Sequence, residues 1–323
     1  MSLKTLDKVM PKRIEKFMPK TVKKSLTGQK KLENLPSYYY LQNLMSKYQV
    51  KNLVNEDKKS FKMKIDEFLQ LKDYEMEGFK DPEKQRDYTI KFRWGHNHDF
   101  GDFSLKGEMG EAHISKIALY IDRYKAIPRS LDGLKVLDIG CWTGGTSLLL
   151  AAMGAHVVAV EEVKKYVDCM NYLKYAFNIE KLEPKNLSLY ECTKPDFQDS
   201  FDIVFFAGVL YHLTDPIIAL RITFNCLKDG GICLLQTAAT NSKKRILFYE
   251  GPTVFRFGDK EDLSRRGWNW LFPSPSALFQ MMTDVGYSDV QVNKYDKGSL
   301  FAVGKRKSHV DMMRSGLSVR TIR

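Results

Sequence analysis

VLDIGCWTGG, residues 136–145, is the stretch on which the fold turns. It opens on an apolar run that ends in an acid, Asp138, and continues into Gly140, Gly144 and Gly145 before a second apolar run, TSLLLAAMG (146–154). The first run reads as a strand and the second as a helix stopped by Gly154. Glycines packed between a strand and a helix let the backbone approach a ligand closely, at the carboxyl end of the strand where open α/β sheets bind.

Working outward, strand and helix alternate. HVVAVEE (156–162) reads as a strand, 163–178 as a helix, and NLSLYE (186–191) and FDIVFFAG (201–208) as strands. A helix follows over 215–228, capped by Thr214 or Asp215 with Pro216 near its first position, and then a fifth strand over 230–238. Residues 274–286 read as a helix, and DVQVNKY and SLFAVGKRK as an antiparallel pair at the sheet edge. The fold class is therefore α/β, a doubly wound, Rossmann-like sheet of seven strands. Upstream, Ile114, Ile117, Ala118 and Ile121 give one face of a helix over 111–125, and 92–110, rich in Gly and aromatics, reads as a loop. Over 35–75 the apolar residues Tyr40, Leu44, Tyr48 and then Phe61, Ile65, Phe68, Leu69 recur at helical steps and predict accessory helices. The expected organisation is a basic segment 1–31, a helical accessory region with a covering loop 32–110, the α/β domain 111–304 with a lid insertion 239–273, and a basic tail 305–323.

The net charge of +12 is concentrated at the ends: residues 1–31 carry +8, residues 305–323 carry +5, and the body is close to neutral. Basic ends suit nucleic acid or an anionic membrane surface, and equally serve as plain solvated tails. No apolar run approaches the roughly 18 residues that a membrane-spanning helix needs, and the first residues lack the apolar stretch of a secretory signal. The five cysteines are odd in number and form no C-x-x-C pair, so the expectation is buried free thiols in a cytoplasmic protein, with no disulfide framework and no metal site.

The candidate cofactor residues follow from the strand ends. Glu161, about twenty residues beyond the glycines, closes the second strand with a carboxylate able to accept hydrogen bonds from both hydroxyls of a ribose. A nicotinamide site would use G-x-G-x-x-G, and Trp142 breaks that spacing. D-x-G-x-x-x-G, the acidic second strand and the late β-hairpin together resemble the class I S-adenosylmethionine-dependent methyltransferases over about 135–305. RWGHNHDFG (93–101), AGVLYHLTDP (207–216) and GWNWLFPSPSAL (267–278) narrow the likeness to the family that includes the tRNA wobble-uridine carboxymethyltransferase and relatives of uncertain substrate. That resemblance implies S-adenosyl-L-methionine as cofactor. It implies cofactor contacts from Asp138, Gly140, Gly144 and Glu161, an adenine neighbourhood at Cys192 and Thr193, and a pocket wall at Val209 and Leu210. Two positions depart from the family pattern. Trp142 replaces the second motif glycine, and Phe100 stands where carboxymethyl-using members place a lysine, which favours the ordinary donor.

Methyl transfer from a sulfonium depends mainly on positioning, and needs a base only when the acceptor must lose a proton. Tyr211, His212 and His96 are the candidates for contact with the acceptor or its proton; His212 has the alternative of a structural histidine at the next helix. The insertion 239–273 interleaves Phe248, Tyr249, Phe255, Phe257, Trp268 and Trp270 with Lys243, Lys244, Arg245, Arg256, Arg265 and Arg266. That composition suits RNA, or a lid whose rings pack on the domain. The acceptor thus stands between RNA, tRNA-like, and a small molecule or glycan. A non-catalytic RNA-binding or scaffold protein that keeps the cofactor fold is the reading from a different class.

Overall fold

In a computed structural model the described residues are 34–71, 92–250, 269–295 and 298–308. The basic N-terminal segment, residues 309–323 of the tail and the lid residues Phe255, Arg256, Phe257, Arg265, Arg266 and Trp268 lie outside them.

The central sheet has seven strands in the order β10-β11-β7-β6-β3-β4-β5. Strands β3 (Lys135–Ile139), β4 (His156–Glu161), β5 (Leu182–Asn186), β6 (Phe201–Ala207) and β7 (Leu227–Ala238) run parallel. Strands β10 (Ser288–Lys294) and β11 (Ser299–Lys305) form the expected terminal pair, and β11 is the one strand antiparallel to its neighbours on both sides. The middle strands are buried on both faces, which is why Val136-Leu137 and Val157–Val160 read as unbroken apolar runs. Helices α3 (Ala112–Asp122), α4 (Gly145–Ala152) and α5 (Lys164–Ala176) contribute to the core on one side of the sheet. Helices α6 (Pro216–Cys226) and α7 (Pro275–Val285) contribute to the other. Pro216 occupies the first turn of α6 after Asp215, and Ser274 caps α7, its hydroxyl accepting from Ala277 N–H at 3.2 Å.

The accessory region is helical, with α1 (Tyr38–Leu44) and α2 (Lys58–Gln70). Ser37 donates from its backbone N–H and its hydroxyl to the two oxygens of Asp122, at 2.8 and 2.7 Å, tying α1 to the end of α3. Tyr48 donates to the Leu148 carbonyl at 3.0 Å. Phe61, on α2, meets Phe100, Tyr172 and Phe177 in one aromatic cluster.

Three expectations need correction. The strand expected over 186–191 lies earlier, at Leu182–Asn186, and Leu189–Thr193 is a 3-10 helix. A capping box explains it: the Ser188 and Glu191 side chains reciprocally satisfy backbone N–H groups, which favours a helical turn over a strand. In the accessory region Tyr48, Phe61, Ile65 and Phe68 are buried as expected, but in α1 Tyr38 and Leu41 are buried while Tyr40 is exposed and Leu44 half-buried, so that face is rotated from the expected one, and Leu69 on α2 is exposed. The 92–110 loop is partly ordered by an antiparallel pair, β1 (His98–Asp99) with β2 (Ser104–Leu105).

Candidate functional site

The candidate residues gather at the carboxyl ends of β3, β4 and β6. After β3 the chain turns through Gly140 (φ +71°), Trp142 (φ +53°) and Gly144 (φ +78°) into α4. This left-handed geometry suits glycine and burdens tryptophan. Space is tight as well: a Cβ on Gly140 would lie 2.5 Å from the Val209 side chain, and one on Gly144 would lie 2.7 Å from Met170. Val209, from the segment after β6, therefore touches the glycine loop directly.

Glu161 is buried at the end of β4. Its Oε2 accepts from the Trp142 backbone N–H at 2.9 Å, and its Oε1 from the Val163 N–H at 3.0 Å. Asn186 donates to the carbonyls of Glu161 and Glu162, at 3.1 and 3.0 Å, and so holds the end of β4 against β5. Asp138 lies beneath the turn, where its Oδ2 accepts from the Ser147 hydroxyl at 2.6 Å. Burial pushes its carboxyl up to about 7, opposed by the Ser147 bond and by the charge of Lys116.

Leu210–His212 form a single 3-10 turn after β6. Leu210 is buried, while Tyr211 and His212 are half-exposed with their rings 4.0 Å apart. The Tyr211 ring lies nearly parallel to that of Phe272, and the Tyr211 carbonyl accepts from Trp270 N–H at 2.8 Å. Cys192 is buried and its thiol is pushed up to about 12 by burial, so it is inert packing. The Thr193 hydroxyl donates to the Tyr190 carbonyl at 3.0 Å, inside its own turn.

His96 comes to the glycine loop from the accessory side. A Cβ on Gly145 would meet His96 Nδ1 at 2.7 Å, and Gly95 N–H donates to Thr143 Oγ1 at 2.9 Å. The 93–98 segment therefore lies across the start of α4. Burial, with the charge of Lys116 adding to it, pushes His96 down to about 3, so it stays neutral through the physiological range. Its ring is 4.6 Å from that of His113, which is buried and held well below its usual range by burial first and then by the charges of His96, His98 and Lys116. Phe100 is fully buried, stacked on His98 at 3.9 Å, inside the aromatic cluster.

Lys116 escaped the sequence reading. It is half-buried on α3, its ammonium lowered to about 8 by burial and raised in part by Asp138. Helical periodicity points Lys116 away from the Ile114–Ile121 face. Yet α3 is buried nearly all round, between the sheet and the accessory helices, so both of its faces are interior. The aromatic clamp on Trp142 also had no sequence signal: its indole lies edge-on to Tyr166 at 6.1 Å and against Gly95. Among the described residues, no group of three or more His, Cys, Asp or Glu is placed to hold a metal ion.

A family model described as a methyltransferase domain matches residues 111–292, more than half of the chain. Among curated relatives, the tRNA U34 carboxymethyltransferase of Desulfotalea psychrophila is 28% identical over 163 residues, which cover 50% of this chain and 48% of that protein. The ubiquinone biosynthesis O-methyltransferase of Ruegeria pomeroyi is 28% identical over 177 residues, covering 54% of this chain and 68% of that protein. The tRNA U34 carboxymethyltransferase of Pseudomonas aeruginosa (strain LESB58) is 30% identical over 162 residues, covering 50% and 47%. The chain thus spans about half the length of the carboxymethyltransferases it matches.

Proposed function

The chain belongs to the methyltransferase domain family, and from that premise we propose that it transfers a methyl group from S-adenosylmethionine to an acceptor that is either RNA or a small molecule or glycan. The observation that carries the reading is the carboxylate of Glu161 at the end of β4, bonded to the backbone of a left-handed glycine turn. Such a carboxylate suits two vicinal ribose hydroxyls, and the turn suits close approach of a ligand to the backbone.

S-adenosylmethionine, when bound, supplies a methyl group already activated on a sulfonium, so the protein's work is orientation. Gly140 and Gly144 shape the cradle, and Asp138 braces it from below through Ser147. Cys192 and Thr193 border the adenine side. Val209 and Leu210 form the wall opposite the glycines, Val209 by its contact at Gly140. Lys116 is the cation suited to the donor's carboxylate, since an ammonium partly removed from water gains more from a charged partner than a solvated one does. Tyr211 faces the acceptor. His212 takes the proton where the acceptor must lose one, and His96, held neutral, props the covering segment over the start of α4.

Both acceptor classes have support among the relatives, one named for a tRNA position and one for ubiquinone biosynthesis. Five buried free thiols suit a reducing, cytoplasmic setting. The test is incubation with methyl-labelled S-adenosylmethionine against total RNA, polar metabolites and a lipid extract. Label in one fraction identifies the acceptor class. No label in any, with the donor bound, favours the non-catalytic RNA-binding or scaffold reading.

A further inference from the structure

Residues 243–249, KKRILFY, are exposed without a break. The last three form β8 (Leu247–Tyr249), which pairs with β9 (Leu271–Pro273) in a two-stranded ribbon separate from the main sheet. An ordinary strand hides alternate side chains. This one hides none: Leu247, Phe248 and Tyr249 are 40%, 52% and 64% exposed, and Ile246 before them is 38% exposed. Four consecutive large apolar side chains in water are a standing cost, and contiguous exposed apolar surface marks an interaction site. Immediately before them, Lys243, Lys244 and Arg245 are exposed, and none forms an ion pair among the described residues.

We infer that this ribbon docks the protein on an anionic lipid surface, with Ile246, Leu247, Phe248 and Tyr249 entering the interface and Lys243, Lys244 and Arg245 meeting the headgroups. The pattern separates lipid from nucleic acid. Aromatic rings serve both, but Ile246 and Leu247 gain nothing from base stacking and gain fully from acyl chains. Clustered cations beside apolar side chains are what an anionic leaflet attracts. The ribbon is tied to the candidate site: Trp270, next to β9, bonds the Tyr211 carbonyl, and Phe272 lies parallel to both Phe248 and Tyr211. Docking would therefore set the Tyr211 turn near the lipid surface. The inference stands apart from the assignment of the methyl donor.

The experiment is co-sedimentation of the full chain with vesicles of phosphatidylcholine alone and of equal parts phosphatidylcholine and phosphatidylglycerol. Binding to the anionic vesicles that weakens with salt is expected. The triple variant Leu247→Ser, Phe248→Ser, Tyr249→Ser should lose about tenfold or more of that binding, and Lys243→Ser, Lys244→Ser, Arg245→Ser should lose its salt-sensitive part. Thermal midpoints close to the parent confirm that both variants fold. Three results would overturn the inference: anionic-vesicle binding equal in parent and variants, which assigns it to the basic ends; no vesicle binding but loss of binding to a single-stranded RNA oligonucleotide in the variants; or a dimer of the parent that the apolar variant dissociates.

Discussion

Glu161 Oε2 accepts the backbone N–H of Trp142 at 2.9 Å, so the acid that ends β4 also fixes the glycine turn that follows β3. The bond crosses two neighbouring strands at their carboxyl ends and makes one unit of what the sequence presents as two motifs nineteen residues apart. It also accounts for how a tryptophan is tolerated at φ +53°. The turn is held by Glu161, and the indole is held by Tyr166 and Gly95.

Two substitutions separate those contributions. Trp142→Ala removes the indole packing and keeps a Cβ in the left-handed region; Trp142→Gly removes both. The glycine variant should be the more stable of the two by roughly 1 kcal/mol, and both should fall below the parent. Denaturant titration reads the difference. Equal stabilities would mean that the turn relaxes out of the left-handed region once the indole is gone.

Acid sensitivity follows from the buried histidines. His96, His98 and His113 are all held below their usual range, chiefly by burial. A depressed histidine leaves the unfolded chain with more bound protons below about pH 6.5, so stability falls as pH drops from there toward about 4. Asp138, raised to about 7, acts oppositely: its contribution to stability is fully present below about pH 4 and is lost progressively as pH rises from there through about 7. Three histidines outweigh one aspartate, so these four groups together predict a loss on acidification. His113→Leu should flatten the slope near pH 5 by roughly 1.4 kcal/mol per pH unit, one proton's worth. Because both ring nitrogens of His113 are buried without hydrogen-bond partners, the variant should be as stable as the parent at pH 7, or more so. An unchanged slope would place the acid sensitivity elsewhere.

Much of the sheet was legible because parallel strands buried on both faces leave an unmistakable run of apolar residues, and because Gly154 and Pro216 mark helix ends chemically. Glu161, Gly140, Gly144 and Val209 come together as expected, since the topology of an open α/β sheet puts strand ends side by side. The strand expected over 186–191 was misplaced for a local reason: Ser188 and Glu191 cap each other, and a capping box outweighs a short alternating pattern. Lys116 was illegible because its helix is interior on both faces, where periodicity stops reporting exposure. His113 was hidden for the same reason.

Lys116→Met tests the carboxylate role directly. Removing a half-buried ammonium should leave the thermal midpoint unchanged or raised, because the charge is desolvated. Donor affinity should fall by about tenfold, and Lys116→Arg should recover part of it. A merely structural lysine would move the midpoint and leave the affinity alone.

The donor should be S-adenosylmethionine in preference to its carboxylated form. Phe100 is sealed in the aromatic cluster, so that position offers no cation, and Lys116 can neutralise one carboxylate but not two. Competition between the two donors, followed by mass analysis of the product, checks this. A carboxymethyl mass on the product would reverse it.

The central claim is most directly tested by calorimetric titration of the full chain with S-adenosylmethionine, in the parent and in Glu161→Ala. Saturable binding to the parent, weakened in the variant by roughly 1–3 kcal/mol while the variant remains folded, is the predicted result. No binding to the parent, or equal affinity in both, would contradict the assignment of this turn and this carboxylate as the cofactor site.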